Sequence, residues 1–335
     1  MNILAIESSC DETAVAVVKD GRTVLSDAIL SQADMHEIYG GVVPEIASRK
    51  HVEAIYSLAD TALSQAGITK KDIDAIAVTY APGLIGALLV GVGFAKAAAL
   101  AMDLPLIPVH HIRGHIAANY IAFPDLEPPF LALVVSGGHS LIVDVQDYTK
   151  MKVMGSTRDD AAGECFDKVA RVMGMGYPGG KALDALAKSG DETKYVLPRS
   201  KIDGAPLDMS FSGLKTAVLN ILHNASQKGE QVDEPSLCAS FQAAVSDTLV
   251  PRTMEALKQT GYKKLVIAGG VAANSRIRGD FEAATARMGA VLYAPPLSLC
   301  GDNGAMIGAQ AYYEYLAGNL AGPELNAIAT LSVEK

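Results

Sequence analysis

The chain has 335 residues, half of them hydrophobic, with 31 glycines and only 6% aromatics, which suits two α/β domains built from Val, Ile, Leu and Ala. Lys and Arg number 28 against 37 Asp and Glu, a net charge of −9; this is not the basic balance of a self-sufficient nucleic-acid binder, so any RNA role calls for a local basic patch or a basic partner. Four dispersed cysteines (Cys10, Cys165, Cys238, Cys300) with no C-x-x-C pair exclude a disulfide framework or zinc ribbon and point to a reducing, cytoplasmic setting.

In chain order, Ile3–Glu7 reads as a strand too short and too little basic at its start to be a signal peptide. Ser8–Thr13 is a polar turn and Ala14–Val18 a second strand, so a hairpin is expected. Val24–Leu30 is a third strand. After Gly40-Gly41 and Pro44, Glu45–Gln65 has the pattern of an amphipathic helix. Asp74–Tyr80 is a buried strand closed by Ala81-Pro82-Gly83. The apolar stretch Leu84 to Met102 holds Lys96 and several glycines and is expected to be a buried core helix, with no membrane span. Leu104–Val109 is a strand leading into His110-His111-Ile112-Arg113-Gly114-His115.

The pattern then recurs. Phe130–Val135 and Ser140–Val145 flank the turn Ser136-Gly137-Gly138-His139, repeating the first hairpin. Lys264–Ala268, ending in Gly269-Gly270-Val271-Ala272-Ala273-Asn274, repeats Asp74–Gly83. Ala290–Ala294 repeats Leu104–Val109 and leads through Asp302 into a helix from Ala305 to Leu316. Residue 132 matches residue 3 and residue 264 matches residue 75, so the second half carries about 60 extra residues, placed at about 150–215. The expected fold is α/β, a duplicated two-lobe actin/Hsp70/sugar-kinase-like (ribonuclease H-like) architecture with a helical insert in the second lobe. Lobe I is 1–118, lobe II is 119–300, and 301–335 is a C-terminal helix returning toward lobe I.

His111 and His115 are one turn apart on one face if their segment is helical, which suits a divalent metal; solvated or hydrogen-bonded histidines at a helix start are the alternative. The zincin motif needs Glu directly after the first His, and Ile112 stands there, so a metalloprotease lacks its base. Asp302 follows the last strand, in the place where the first half puts its His pair. The two halves are expected to bring His111, His115 and Asp302 together across the lobes as two imidazoles and a carboxylate for Fe(II) or Zn(II); a plain N-cap is the alternative for Asp302.

Ser136-Gly137-Gly138, matched by Ser8–Thr13, can bring backbone N–H groups to an anion. Asp11 and Glu12 are adjacent carboxylates able to orient a metal, a water or an amine, and one of them is the candidate acceptor of a proton. Gly269–Asn274 opens a helix and favours an anion or nucleotide, with Asn274 either capping the helix or bonding a base or ribose. Asp159–Lys168 is expected to start a helix, with its acids on the helix dipole and Asp167 a turn further in. Phe211-Ser212-Gly213-Leu214-Lys215 reads as a polar loop between helices. Lys181, Arg199, Lys201 and Lys215 make the insert a candidate RNA contact.

These motifs, together with Gly40–Glu45 and Tyr177-Pro178-Gly179-Gly180, occur in order over nearly the whole chain, and the chain resembles the bacterial TsaD (formerly Gcp) family of tRNA adenosine threonylcarbamoyltransferases. The resemblance implies an actin-like ATPase fold and one metal per subunit, iron(II) with zinc(II) as the alternative, on His111, His115 and Asp302. It implies transfer of a threonylcarbamoyl group from threonylcarbamoyl-AMP to the exocyclic amine of the adenosine 3′ of the anticodon, in tRNAs reading codons that begin with A. It implies substrate contacts at Val134, Val135, Ser136, Gly137, Gly138, Asp167, Gly180, Asp184 and Asn274. It also implies a paralogous partner subunit, an ATPase partner and a synthase that makes the donor. An ATP-dependent phosphotransferase or chaperone-like ATPase of the same fold, and a non-enzymatic metal-dependent scaffold, are the competing readings.

Overall fold

The computed structural model describes residues 1–199 and 201–335. It divides into two compact units, one made of Met1–Pro128, Gln146–Met151 and Pro295–Lys335, the other of Pro129–Val145 and Lys152–Ala294.

The first unit is built on strands β1 (Asn2–Glu7), β2 (Glu12–Lys19) and β3 (Thr23–Ser31), a short helix α1 (Ala33–Glu37), the long helix α2 (Pro44–Ala66), strand β4 (Ala75–Ala81), helix α3 (Ile85–Met102), strand β5 (Leu106–His110) and helix α4 (His111–Ala122). The sheet order is β3-β2-β1-β4-β5. β1 pairs antiparallel with β2 and parallel with β4, and β4 pairs parallel with β5. Both faces of β1 are buried, so its residues divide between two cores by strand alternation. Leu4 and Ile6 join Val15, Val17, Leu88, Val92 and Ala95 under α2 and α3. Ile3 and Ala5 join Ala77, Ile107, Met306, Ile307 and Ala311 on the opposite face. Each fully buried Ile or Leu contributes about 1.5–3 kcal/mol.

The second unit repeats this plan with β6 (Phe130–Val135), β7 (Ser140–Asp147), β8 (Lys150–Ser156), helices α5 (Ala162–Val172), α6 (Gly179–Ala187), α7 (Ser212–Lys228) and α8 (Glu234–Thr260), strand β9 (Lys264–Ala268), helix α9 (Ser275–Arg287) and strand β10 (Val291–Tyr293). Its sheet order, β10-β9-β6-β7-β8, is the first order repeated strand for strand. The extra length lies between β8 and α8, as α5, α6 and α7.

Four sequence expectations are corrected here. The chain returns to the first unit at Pro295, and its last helix, α10 (Gly304–Leu316), packs Met306, Ile307 and Ala311 onto the first sheet; Asp302 therefore belongs to the same unit as His111 and His115, and no second lobe supplies it. The segment Phe211–Lys215 is not a loop, because α7 starts at Ser212. The helix expected from Asp159 starts at Ala162, and Asp159 instead accepts hydrogen bonds from the backbone N–H groups of Phe211 and Ser212, holding the first turn of α7. Finally, α3 is only half-buried: Ala87, Leu88, Gly91, Val92, Ala95 and Ala99 face the core, while Leu100 is 84% exposed. By length and composition α3 is the one described helix apolar enough to cross a membrane.

Candidate metal centre and anion-binding turn

In the first unit the turn between β1 and β2 is pressed against α3 and α4. A side chain at Gly91 would run into Ser8 Oγ, so glycine alone lets α3 lie directly on the turn. Ser8 Oγ donates to the carbonyl of Ala87, and Leu84 N donates to the carbonyl of Ser9. α4 opens at His111 because the ring of His110, the N-cap, accepts from Ile112 N at 3.2 Å. His111 and His115 then fall on one face, with ring centroids 4.6 Å apart and nearly perpendicular. Gly114 lies between them, and a Cβ there would come within 2.7 Å of Ile307 Cδ1; its absence lets α4 cross closely over α10.

That crossing brings Asp302 to the histidines. Asp302 Oδ1 is 3.6 Å from His111 Nε2 and 3.2 Å from His115 Nε2. One ligand atom from each of the three residues lies within 4.8 Å of the others. Asp302 is not the helix cap: Asn303 takes that role, its side chain accepting from Met306 N at 2.8 Å. Both ring nitrogens of His115 are buried and make no hydrogen bond, and such nitrogens are costly to leave unless a ligand takes them. The residues fit a divalent metal: two imidazoles and a carboxylate, converging, with an orphaned donor atom among them.

The carboxylates nearby shape the charge. Burial alone would depress His111, but Asp302 and then Glu7 outweigh it and lift the imidazole to about 9. Burial, then Asp302 and Asp11, push Glu12 up to about 9, and Ser31 Oγ donates to it at 3.0 Å. Asp11 is buried beside it, its carbonyl accepting from Gln32 N. Burial also raises the Cys10 thiol, with Asp11 and Asp302 raising it further, so no thiolate nucleophile forms there. None of the four cysteines is in a disulfide among the described residues. Glu7, Ser9 and Arg113 are near neighbours that sequence reasoning gave no role; Glu7 carried a signal, as an acid closing a wholly apolar strand.

The second unit gathers most of the remaining candidates. Ser136, Gly137 and Gly138 form the β6–β7 turn, and Gly163 of α5 approaches so closely that a Cβ there would sit 2.5 Å from the carbonyl oxygen of Ser136. Gly269, at φ +91°, passes the carbonyl of Val135 in a backbone shape that favours glycine. Val134 and Val135 are fully buried, and Val134 is paired with a strand on each side. Asn274 caps α9, with Oδ1 accepting from Ile277 N at 3.1 Å, while its buried Nδ2 makes no hydrogen bond; both alternatives for this residue therefore stay available to different atoms. Asp167 Oδ1 accepts from Gly179 N at 2.8 Å, fixing the start of α6 beside Gly180. Asp184 accepts from Gln242 Nε2 and Ser275 Oγ, tying α6 to α8 and α9.

The sequence model of TsaD, tRNA N6-adenosine threonylcarbamoyltransferase, matches residues 23–309. The chain is 52% identical over 333 residues to the tRNA N6-adenosine threonylcarbamoyltransferase of Clostridium botulinum strain Hall, covering 99% of this chain and 98% of that one. It is 54% identical over 325 residues to the protein of the same description from Clostridium perfringens strain SM101, covering 97% and 96%. Among solved structures it is similar to HypF of T. kodakarensis, at TM-score 0.64 and 15% identity over 97% of this chain and 49% of that one. It is also similar to component A of the Acidaminococcus fermentans (R)-2-hydroxyglutaryl-CoA dehydratase, at TM-score 0.54 and 16% identity over 95% and 98%. At such identities these structures bear on fold alone, and with the repeated sheet order they mark the duplicated actin/Hsp70/sugar-kinase-like architecture.

Proposed function

The chain belongs to the tRNA N6-adenosine threonylcarbamoyltransferase family, and from that premise we propose how its residues divide the work of modifying tRNA. The acceptor is the N6 amine of the adenosine 3′-adjacent to the anticodon in tRNAs reading codons that begin with A. The donor is L-threonylcarbamoyl-AMP. The bond from N6 to the carbamoyl carbon forms and the bond from that carbon to the phosphate oxygen breaks. AMP leaves with the electron pair, and the amine loses one proton.

His111, His115 and Asp302 hold one divalent metal, iron(II) or alternatively zinc(II). Bound there it supplies Lewis-acid polarisation. Asp11 takes the amine proton, and Glu12 beside it, which accepts from Ser31 Oγ at 3.0 Å, steadies it. In the second unit the backbone N–H groups of Gly137 and Gly138 and the hydroxyl of Ser136 receive negative charge of the adenylate, the N–H of Ser136 being spent on the carbonyl of His139. Asn274 Nδ2 offers an unused donor to the same ligand. Asp167, Gly180 and Asp184 shape its seat, and Val134 and Val135 lead into the turn. A paralogous partner subunit, an ATPase partner and a donor-making synthase act with the chain in the cytoplasm. The phosphotransferase reading is not favoured, since the close relatives carry the transferase description over almost their full length.

The observation that carries this reading is the convergence of His111, His115 and Asp302, with both His115 nitrogens unsatisfied. Its test is mass spectrometry of tRNA nucleosides after incubation with threonine, bicarbonate, ATP and the partner proteins. Threonylcarbamoyladenosine is expected, and is lost in a His111→Ala/His115→Ala variant that keeps its fold and no longer retains metal. ATP consumption with no modified nucleoside overturns the transferase reading, and stoichiometric metal in the double variant overturns the ligand set.

A further inference from the structure

Glu7 is fully buried at the end of β1, where two neighbours donate to it and a third faces it. Ser9 N donates to Oε1 at 2.5 Å, Thr79 Oγ1 donates to Oε2 at 2.6 Å, and His111 Nδ1 lies 3.1 Å from Oε2. Ser9 Oγ is also 3.1 Å from that Nδ1. A carboxylate held by two donors has no proton to offer, so the nitrogen facing it must carry one. An imidazole that binds a metal is neutral and keeps a single N–H. With that proton on Nδ1, the lone pair sits on Nε2, the nitrogen that faces Asp302. His115 has no such partner, since its Nδ1 makes no hydrogen bond. The two imidazoles are therefore not equivalent, and only His111 is oriented from behind.

We propose that Glu7 is the positioning residue of the metal centre: it fixes His111 in the Nδ1–H form and so presents Nε2 to the metal. This rests on the reading of His111, His115 and Asp302 as ligands. The chemistry explains why a carboxylate is needed at this place and an amide would fail. In Glu7→Gln one oxygen must still meet the Ser9 N–H, which turns the NH2 group toward Thr79 and His111. That NH2 group has two hydrogens to place, and the atoms beside it are Thr79 Oγ1, 2.6 Å from Oε2, and His111 Nδ1, 3.1 Å from it, so one hydrogen falls to each. The imidazole proton then moves to Nε2, and the metal-facing nitrogen has no lone pair.

The experiment uses zinc, which leaves NMR signals sharp, on the full chain. In 15N-labelled zinc-loaded protein, His111 is identified by comparison with His111→Gln. Its Nδ1 is expected to carry the proton and its Nε2 to be the metal-bound nitrogen. Glu7→Gln is expected to bind zinc about 10–100-fold more weakly per folded molecule. Coordination of His111 through Nδ1 in the unchanged protein overturns the proposal without recourse to any variant, as does a Glu7→Gln protein that binds zinc as tightly as the parent. A Glu7→Gln protein whose metal-free form melts much earlier, with zinc affinity per folded molecule unchanged, also overturns it and makes Glu7 a structural acid. Unchanged protein that takes up no stoichiometric zinc overturns the ligand reading beneath it, a distinguishable result.

Discussion

Burial opposes a charge on His111, yet Asp302 and Glu7 hold the imidazole at about 9, while burial first and then the carboxylates of Asp302 and Asp11 hold Glu12 at about 9. Both groups bind a proton more tightly folded than unfolded, where their values are 6.5 and 4.5. In metal-free protein the stability they contribute is therefore fullest at the low end and is lost as pH rises, through 4.5 to about 9 for Glu12 and through 6.5 to about 9 for His111. Thermal midpoints of metal-free protein should fall from about pH 5 to about pH 9, and Glu12→Gln should flatten that fall. A Glu12→Gln profile parallel to the parent's would show that Glu12 is not protonated in the folded state. The proposed roles separate the two acids in catalysis. Asp11→Asn should lower turnover at saturating donor by about 10²–10⁴-fold, the usual worth of a general base, and Glu12→Gln by less. Equal and full activity in both variants removes the pair from the proton transfer.

At the scale of elements, the ligand geometry depends on how α4 crosses α10, and a buried ion pair holds that crossing. Arg113 Nη1 donates to Glu314 Oε1 at 3.0 Å, and its Nε and Nη2 donate to the carbonyl oxygens of Val333 and Lys335. Glu314 also accepts from Gln310 Nε2 and Asn319 Nδ2. Removing the guanidinium strands a buried carboxylate, so Arg113→Met should cost about 3–5 kcal/mol in urea unfolding, and Arg113→Met/Glu314→Leu less than the single change. Strict additivity would mean the pair is not coupled. This pair was invisible in the sequence because its partners lie 201 residues apart. Legibility followed the same line throughout. Strands β1, β4, β6 and β9 announced themselves as buried apolar runs, and His111–His115 as a one-turn pair. β8 did not, because only Met151 and Gly155 of Lys150–Ser156 are buried and no apolar run forms. The start of α7 did not either, since its first turn is held by Asp159, about fifty residues upstream. Asp302 was singled out as a candidate ligand but assigned to the wrong half, because a duplicated pattern fixes equivalence of positions and not the point at which the chain crosses back.

On the scale of the whole molecule, a net charge of −9 has to be squared with a tRNA substrate. Binding a polyanion draws on released counterions, which requires uncommitted Lys and Arg side chains. The insert was the candidate for them, yet much of its positive charge is already answered: Arg199 pairs with Asp247, Arg158 with Asp208, Lys168 with Asp160 and Glu164, and Lys194 with Asp233. The proposed partner proteins would then complete the surface that holds tRNA in place. Fluorescence anisotropy with labelled tRNA should give the isolated chain an affinity no better than the non-specific range of about 10⁻⁴–10⁻⁶ M near physiological salt, with a shallow salt slope. Adding the partner proteins should tighten binding and steepen that slope, since the new phosphate contacts are theirs. Tight binding by the isolated chain that weakens steeply with salt would place the RNA-binding surface on this chain after all, and Lys181, Lys201 and Lys215 would be the residues to replace first.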